Sequence, residues 1–182
     1  VVYGSPMLLP PSGKAPRHFV VYLGGVDTID GTTHTEREQR FLDALAEDLG
    51  DEGVLVRAVF PYAISGEPLV RSPRIFRRVW DAAAPAPEAV RRPMLSSLIN
   101  ARNMFQVLVS ADRRYGPIYS AAISRLVDGA LKEAGWRPGA GMAVSLLGYS
   151  GGAQMAVGAA ETLAVRIDGP LRVVSLGGTL AS

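Results

Sequence analysis

A chain of 182 residues with 48% apolar and 20% charged side chains has the composition of a globular protein, and it is long enough for one domain with a substantial core. Its net charge of +2 is too small to indicate a nucleic-acid-binding protein. The sequence has no cysteine, which excludes disulfides and thiolate metal sites but leaves the compartment open. Because it begins at Val1 without a signal-like segment, we expect residues 1–182 to be a single domain within a longer or processed chain.

The first third of the sequence predicts a strand, a helix and a second strand. The run from His18 to Leu23 is uniformly apolar, β-branched and aromatic after its first residue, which is typical of a parallel strand buried on both faces. Thr35 and Glu38 have the spacing of a capping box, so a helix is expected to begin there. Its apolar stripe consists of Phe41, Leu42, Leu45 and Leu49. The glycines that follow predict the end of the helix, before a strand from Val54 to Phe60.

The middle of the sequence is rich in proline and arginine. Residues 61–95 contain six prolines, which remove backbone donors and break helices, so an irregular excursion is expected there. One interpretation of its arginine-rich part, 71–92, is a lid or a contact surface for a membrane or a protein; the other is a solvated loop. Helices are then expected over 96–110 and 117–134. The apolar stripe of the second helix consists of Ile123, Leu126, Val127, Ala130 and Leu131.

The last part of the sequence predicts a strand, a glycine-rich turn, a helix and another strand. An apolar run over 143–148 leads into the turn, a helix is expected over 153–165, and a final strand is expected over 171–176. Strands and helices therefore alternate along the chain. This order predicts an α/β fold, with a doubly wound, mainly parallel sheet and helices on both of its faces.

The turn after the third predicted strand contains the candidate catalytic motif. Gly148-Tyr149-Ser150-Gly151-Gly152 matches G-x-S-x-G, the pattern of a nucleophile elbow. In such an elbow the serine stands on a strained turn between a strand and a helix, so the positions two before and two after it must be small. The apolar run before the motif and the helix-compatible residues after it favour this interpretation. The alternative is an ordinary glycine-rich turn in which Ser150 is buried or caps the helix.

On these residues the sequence resembles the α/β-hydrolase family of serine esterases and lipases. The resemblance also rests on the run from Tyr22 to Gly25 after the first long strand, where leucine stands at the position at which the family commonly has histidine. The resemblance implies that Ser150 is the nucleophile. It also implies an oxyanion hole formed by the N–H of Gly151 and that of Gly25 or Val26. A small acyl compound is the implied substrate, and no cofactor is implied.

One part of the family pattern is missing from the sequence. The family has the chain order serine, acid, histidine, but no histidine follows Ser150, and the only acids after it are Glu161 and Asp168. A serine hydroxyl needs a base within hydrogen-bond reach to act as a nucleophile. Three explanations are open. The histidine and the acid belong to a further part of the protein, His34 serves as the base, or the domain is catalytically inactive.

Other polar residues have structural explanations beside functional ones. Asp27, Asp30 and His34 fall in one loop that is expected at the carboxyl ends of the strands, where α/β sheets bind ligands. A base or metal role for this loop competes with helix capping and loop solvation, and we expect no metal site. His18 opens a strand and is expected to be structural, and Trp136 is expected to be a packing residue.

The sequence therefore predicts a serine hydrolase-like domain that acts on an ester or related acyl substrate through Ser150. The alternative is a catalytically inactive, α/β-hydrolase-like binding or scaffold domain of a larger protein. Such a domain would use the arginine-rich residues 71–92 as its contact surface. Nucleic acid is not expected as a partner in either case.

Overall fold

The computed structural model of the chain describes residues 17–25, 34–57, 59, 104, 107 and 116–178. Among these residues, strands and helices alternate in the order that the sequence predicts. The elements are β1 (His18–Leu23), α1 (Glu36–Leu49), a short 3-10 turn (Gly50–Glu52), β2 (Gly53–Val56), α2 (Gly116–Glu133), β3 (Ala143–Tyr149), α3 (Gly151–Leu163) and β4 (Leu171–Leu176).

The four described strands form one parallel sheet in the order β2-β1-β3-β4. The chain therefore belongs to the α/β class. The two inner strands are set in register by pairing His18 with Ala143 and Leu23 with Gly148. Since every residue of β1 after His18 is buried, this strand is the centre of the fold, as its uninterrupted apolar run predicts. The carboxyl ends of β1 and β3 lie side by side, and the candidate site is there.

Successive side chains of a strand point to opposite faces, and the sheet accordingly borders two groups of apolar side chains. The group shared with α2 and α3 takes the odd residues of β1 and contains Phe19, Val21, Leu23, Val144, Leu146, Ile123, Val127, Leu131, Met155, Ala156, Ala159 and Leu163. The group shared with α1 takes the even residues and contains Val20, Tyr22, Leu147 and Leu42, with Leu45 and Leu49 packed against them. Tyr22 thus faces α1, while its neighbour Leu23 faces α3.

The strand β4 differs from the inner strands because it is exposed on both of its faces. Val173 and Val174 point to opposite faces, and they are 37% and 41% exposed. Arg172 and Ser175 are exposed as well. A parallel strand normally has both faces covered, whereas β4 has no fully buried residue and is the least buried strand of the described sheet.

The predicted strands agree with the structure except at the end of β2. The bounds of β1 and β4 are as predicted, and β3 continues one residue further, to Tyr149. The predicted strand from Val54 to Phe60 ends instead at Val56, and Phe60 lies outside the described residues. The cause is visible at Arg57, whose carbonyl oxygen accepts a hydrogen bond from His34 Nε2 at 2.9 Å instead of continuing the ladder.

The predicted helices are confirmed with small differences at their ends and on their faces. Thr35 caps α1, and the reciprocal bonds of the capping box with Glu38 are both present. The helix α2 begins one residue before Pro117, and α3 begins at Gly151, two residues earlier than predicted. Phe41 and Leu126 are each 41% exposed, so they lie at the edges of the predicted stripes, and the Phe41 ring still contacts that of Tyr22, with the centroids 6.4 Å apart. The excursion 61–95 and most of the predicted helix over 96–110 lie outside the described residues.

Candidate nucleophile elbow

Ser150 stands between the last residue of β3 and the first residue of α3, with φ 53° and ψ −122°. It is the one non-glycine residue with positive φ in the described part of the chain. A side chain in this region of backbone space costs on the order of 1–3 kcal/mol, and such strain is concentrated at functional sites. The turn between β3 and α3 therefore has the strained serine that the G-x-S-x-G pattern predicts.

The two outer glycines of the motif leave no room for a side chain. A methyl carbon added to Gly148 would stand 2.4 Å from the Cα atom of Ala153. One added to Gly152 would stand 2.2 Å from the carbonyl oxygen of Leu23 and 2.5 Å from that of Gly24. Since these neighbours are backbone atoms, they cannot move away as a flexible side chain would. The spacing of the motif is therefore enforced by the close passage of α3 over the ends of β3 and β1.

The backbone of Ser150 is anchored while its side chain does not cap the helix. Its N–H donates to the Leu176 carbonyl oxygen at 2.9 Å, and its own carbonyl oxygen accepts from the Ala153 N–H at 3.1 Å. Ser150 occupies the N-cap position of α3, where a serine commonly accepts a bond from the second or third helical N–H, but its side chain makes no capping bond. The interpretation of Ser150 as a capping serine is therefore wrong.

The predicted oxyanion-hole residues are placed around Ser150 on two sides. A methyl carbon added to Gly25 would stand 3.4 Å from the Cβ atom of Ser150 and 3.0 Å from a ring carbon of Tyr149. Gly151 is the first residue of α3, so its N–H is one of the four amide groups that a helix leaves without an intrahelical acceptor. Val26, the alternative to Gly25, lies outside the described residues.

His34 lies at the carboxyl ends of β1 and β2. Its Nε2 bonds the carbonyl oxygen of Arg57 at 2.9 Å, and its ring meets the ring of Tyr22 edge-on with the centroids 5.4 Å apart. Because a carbonyl oxygen only accepts, the proton is on Nε2 in this bond. β1 separates β2 from β3, a lateral distance of about 10 Å at the usual strand spacing. A role of His34 as the base for Ser150, which stays a prediction, requires the ring to leave Arg57.

His18 and the downstream acids lie away from the elbow. His18 is opposite Ala143, about 20 Å along the strands from Ser150 at the usual rise per residue. Its Nε2 lies 2.8 Å from the Oγ atom of Ser145, and burial followed by the charge of Arg172 lowers the pKa of this histidine. Asp168 accepts from the Gly141 N–H at 2.9 Å, beside the start of β3. The expectation that His18 is structural agrees with this position.

A buried carboxylate beside the elbow was not anticipated as part of the site. Glu38, predicted only as a helix cap, is 9% exposed and accepts a hydrogen bond at 2.8 Å from the hydroxyl of Tyr22. The backbone N–H and the hydroxyl of Thr35 also donate to it, at 2.9 and 3.0 Å. Burial raises the pKa of Glu38, but the bonds from Thr35 and Tyr22 and the nearby His34 outweigh burial and lower it. Alternation along β1 was the one sequence signal that could have placed Tyr22 on the α1 side.

The remaining predictions about sites fall partly outside the described residues. Asp27, Asp30 and residues 71–92 are among the undescribed ones. Trp136 is 2% exposed within the core, so it is a packing residue as predicted. Across the described ranges, no three metal-ligating side chains come together, and no helix is both long and apolar enough to cross a membrane.

Comparison with protein-family models, with curated proteins and with solved structures finds no match to this chain. The backbone of Ser150 and the packing of the glycines around it therefore carry the functional proposal by themselves.

Proposed function

We propose that this chain is a doubly wound, α/β-hydrolase-like domain whose Ser150 attacks the carbonyl carbon of an ester or related acyl substrate. The observation that carries the proposal is the strained backbone of Ser150, at φ 53° and ψ −122°, on a turn where Gly148 and Gly152 admit no side chain. A fold keeps such strain where a side chain must be presented in one direction. At this turn the serine is presented beyond the carboxyl ends of β1 and β3, where α/β sheets bind their ligands.

The proposed reaction begins with a bond between Ser150 Oγ and the substrate carbonyl carbon. The hydroxyl proton passes to a base, and the carbonyl π electrons move onto oxygen. The N–H of Gly151 and the N–H of Gly25 or Val26 donate to this oxyanion. Removing one such donor typically slows the reaction about 100-fold or more. The tetrahedral species then expels the alcohol, which takes up a proton, and water releases the acid from Ser150.

Two sources of the base remain in the proposal. The chain has two histidines, and His34 is the one at the carboxyl ends of the strands. It acts as the base if it exchanges its bond to Arg57 for one to Ser150. The other source is a histidine in a further part of the protein.

A non-catalytic binding domain is the second candidate, and one observation favours it. His34 is bonded to Arg57 at the end of β2, about 10 Å to the side of β3, and His18 is bonded to Ser145 toward the other ends of the strands, so neither histidine lies beside the elbow. A serine without a base within hydrogen-bond reach is a poor nucleophile. Under this candidate the elbow keeps its geometry as a binding surface while the hydroxyl does no chemistry.

A fluorophosphonate probe followed by intact-mass and peptide mass spectrometry tests the proposal. We expect one adduct per chain, located on Ser150 and lost in Ser150→Ala. Ser145→Ala is the matched control, because it removes a serine hydroxyl from the same strand at the end far from the elbow. We expect this control to keep the adduct.

The same experiment separates the two candidates and the two bases. The experiment is done on the full-length protein, and a folded full-length protein that gains no adduct on Ser150 supports the binding domain and overturns the hydrolase proposal. If labelling occurs and His34→Ala abolishes it, His34 is the base. If labelling survives in His34→Ala, a group other than His34 accepts the proton of the Ser150 hydroxyl.

A further inference from the structure

Residues Leu23 to Gly25, which form the last position of β1 and the two positions after it, lie between the elbow and α1. On the elbow side, the carbonyl oxygens of Leu23 and Gly24 leave no room for a side chain at Gly152. Gly25 lies against Tyr149 and Ser150. On the α1 side, a methyl carbon added to Gly24 would stand 3.1 Å from the Oε1 atom of Glu38. The segment that lines Ser150 therefore also lines the buried carboxylate.

The two carboxylate oxygens of Glu38 bind different parts of the fold. Oε2 accepts both bonds from Thr35, which completes the capping box of α1. Oε1 accepts the bond from the hydroxyl of Tyr22, two residues before Gly24 on β1. A capping box needs the first of these and not the second. The second bond ties the start of α1 to the end of β1, immediately before the segment that reaches Ser150.

The hydrogen bond between Tyr22 and Glu38 is buried, so the loss of either partner would be costly. Tyr22 is 1% exposed and Glu38 is 9% exposed, so a donor or acceptor left without a partner here would not be compensated by water. Hydrogen bonds to an ionised carboxylate are shorter and stronger than those between neutral groups. The lowered pKa of Glu38 keeps the carboxylate charged at neutral pH, so the strong form of the bond is the one present.

We propose that Glu38 is a positioning residue, which acts through Tyr22 to fix the segment Leu23 to Gly25 against the elbow and so sets the distance between the Gly25 backbone and Ser150. The proposal rests on the function proposed above, because the positioned group is one wall of the oxyanion hole. Displacing such a wall by about 1 Å slows a reaction by about 10- to 100-fold, even when the residue that moved it touches no substrate.

Tyr22→Phe tests the proposal, because it removes the one hydroxyl that links β1 to Glu38 and keeps the ring. We expect the second-order rate of fluorophosphonate labelling at Ser150 to fall about tenfold. We also expect hydrogen exchange at the Gly24 and Gly25 amides, followed by NMR, to become faster. Leu45→Ala is the matched control, since Leu45 packs on the same side of the sheet without joining the Glu38 bonds. At a temperature where the protein is folded, Leu45→Ala should lower the unfolding midpoint but leave the labelling rate and both glycine amides unchanged.

Variants of Glu38 provide a second readout through rescue. Glu38→Ala removes both acceptors, whereas Glu38→Gln keeps the shape and one amide oxygen. We expect labelling to be slowest in Glu38→Ala and partly restored in Glu38→Gln. Equal rates in Glu38→Ala and in the wild type, or equal slowing by Leu45→Ala and Tyr22→Phe, would overturn the positioning role.

Failure of the hydrolase proposal gives a different pattern. If the wild type gains no adduct, the reaction and the positioning role for it are both overturned. The glycine amides then still distinguish two cases. Faster exchange in Tyr22→Phe shows that Glu38 holds the segment for another purpose, and unchanged exchange shows that the contact holds nothing in place.

Discussion

One serine lies near the start of β3 and another immediately follows its end, and the two differ in burial, backbone geometry and partners. Ser145 has its Oγ 2.8 Å from Nε2 of His18 and is 6% exposed, on a strand with ordinary backbone geometry. Ser150 is partly exposed, has positive φ and makes no capping bond with its side chain. The serine that has a histidine is buried in the sheet, and the serine that is presented outward has no histidine bonded to it. If Ser150 is the nucleophile proposed above, backbone strain at a strand-to-helix turn marks it and proximity to a histidine does not.

The glycines around Ser150 give the largest expected effect. Gly152→Ala would place its methyl carbon 2.2 Å from the Leu23 carbonyl oxygen, and we expect it to lower the free energy of unfolding by about 3 kcal/mol and to abolish labelling. Gly129→Ala is the control, because nothing lies within 4 Å of its added carbon in the interior of α2. We expect that variant to be more stable by about 0.5–1 kcal/mol. Urea unfolding measures both, and a tolerated Gly152→Ala would show that the elbow is looser than its contacts imply.

Replacing each serine sharpens the comparison, since the two effects should have opposite signs. Ser150→Gly relieves the positive φ, and we expect it to raise the free energy of unfolding by about 1 kcal/mol while removing the labelled hydroxyl. Ser145→Ala leaves His18 without this partner, and we expect a loss of about 1 kcal/mol. Urea denaturation at pH 7.5 measures the two variants side by side. Losses of similar size in both would mean that Ser150 stores no strain.

The smallest expected effect is the pH dependence at the Ser145 end. Burial and the charge of Arg172 lower the pKa of His18 from its ordinary value of 6.5, so the folded protein binds this proton less readily than the unfolded chain. The stability that His18 contributes is therefore fully present above pH 6.5 and is lost as the pH falls through the lower pKa of the folded state. We expect urea midpoints to fall between pH 7.5 and pH 5 in the wild type and to fall less in His18→Gln.

Arg172→Gln divides this pH dependence between its two causes. Burial is the larger cause and the arginine the smaller, so removing the charge should keep most of the decrease in urea midpoint, leave its onset near pH 6.5 and complete it at a slightly higher pH. A midpoint profile identical to that of His18→Gln would show that the charge dominates. Labelling of Ser150 should be unchanged in both variants, because His18 lies at the other end of the strands.

The strands were predictable because each is a continuous apolar run with clear breaks. β1, β3 and β4 have local signals that no tertiary contact overrides, whereas the end of β2 is decided by His34 taking the Arg57 carbonyl oxygen. Helical spacing predicted a wide stripe on α1; Leu42, Leu45 and Leu49 pack against the sheet, and Phe41 lies at its edge, with its ring against that of Tyr22. The predicted stripe of α2 was likewise wider than the buried face of the helix, since Leu126 is 41% exposed.

The site was predictable only where consecutive residues of the chain form it. The elbow is five consecutive residues, so its strain and its small positions can be inferred from spacing. The bond between Tyr22 and Glu38 depends on which face of β1 the tyrosine occupies and on how α1 crosses the sheet. The bond between His18 and Ser145 depends on the register of β1 against β3. Neither the crossing nor the register is determined by local residues, so the sequence predicted the turn of the proposed nucleophile but not its surroundings.

The position of β1 between its two neighbours has a consequence for the order of folding. The bond between Tyr22 and Glu38 spans 16 residues, whereas the bond between His18 and Ser145 spans 127. Closing the longer loop costs more chain entropy and yields its contacts only afterwards, so the pairing of β1 with β3 is expected to be the slow event. During refolding the β1–α1–β2 unit can therefore assemble around Glu38 while β3, which leads into Ser150, is not yet paired with β1. Gly25 would be in place before the serine arrives beside it, and labelling of Ser150 during refolding should increase later than protection of the Gln39 amide, which bonds the Thr35 carbonyl oxygen within α1.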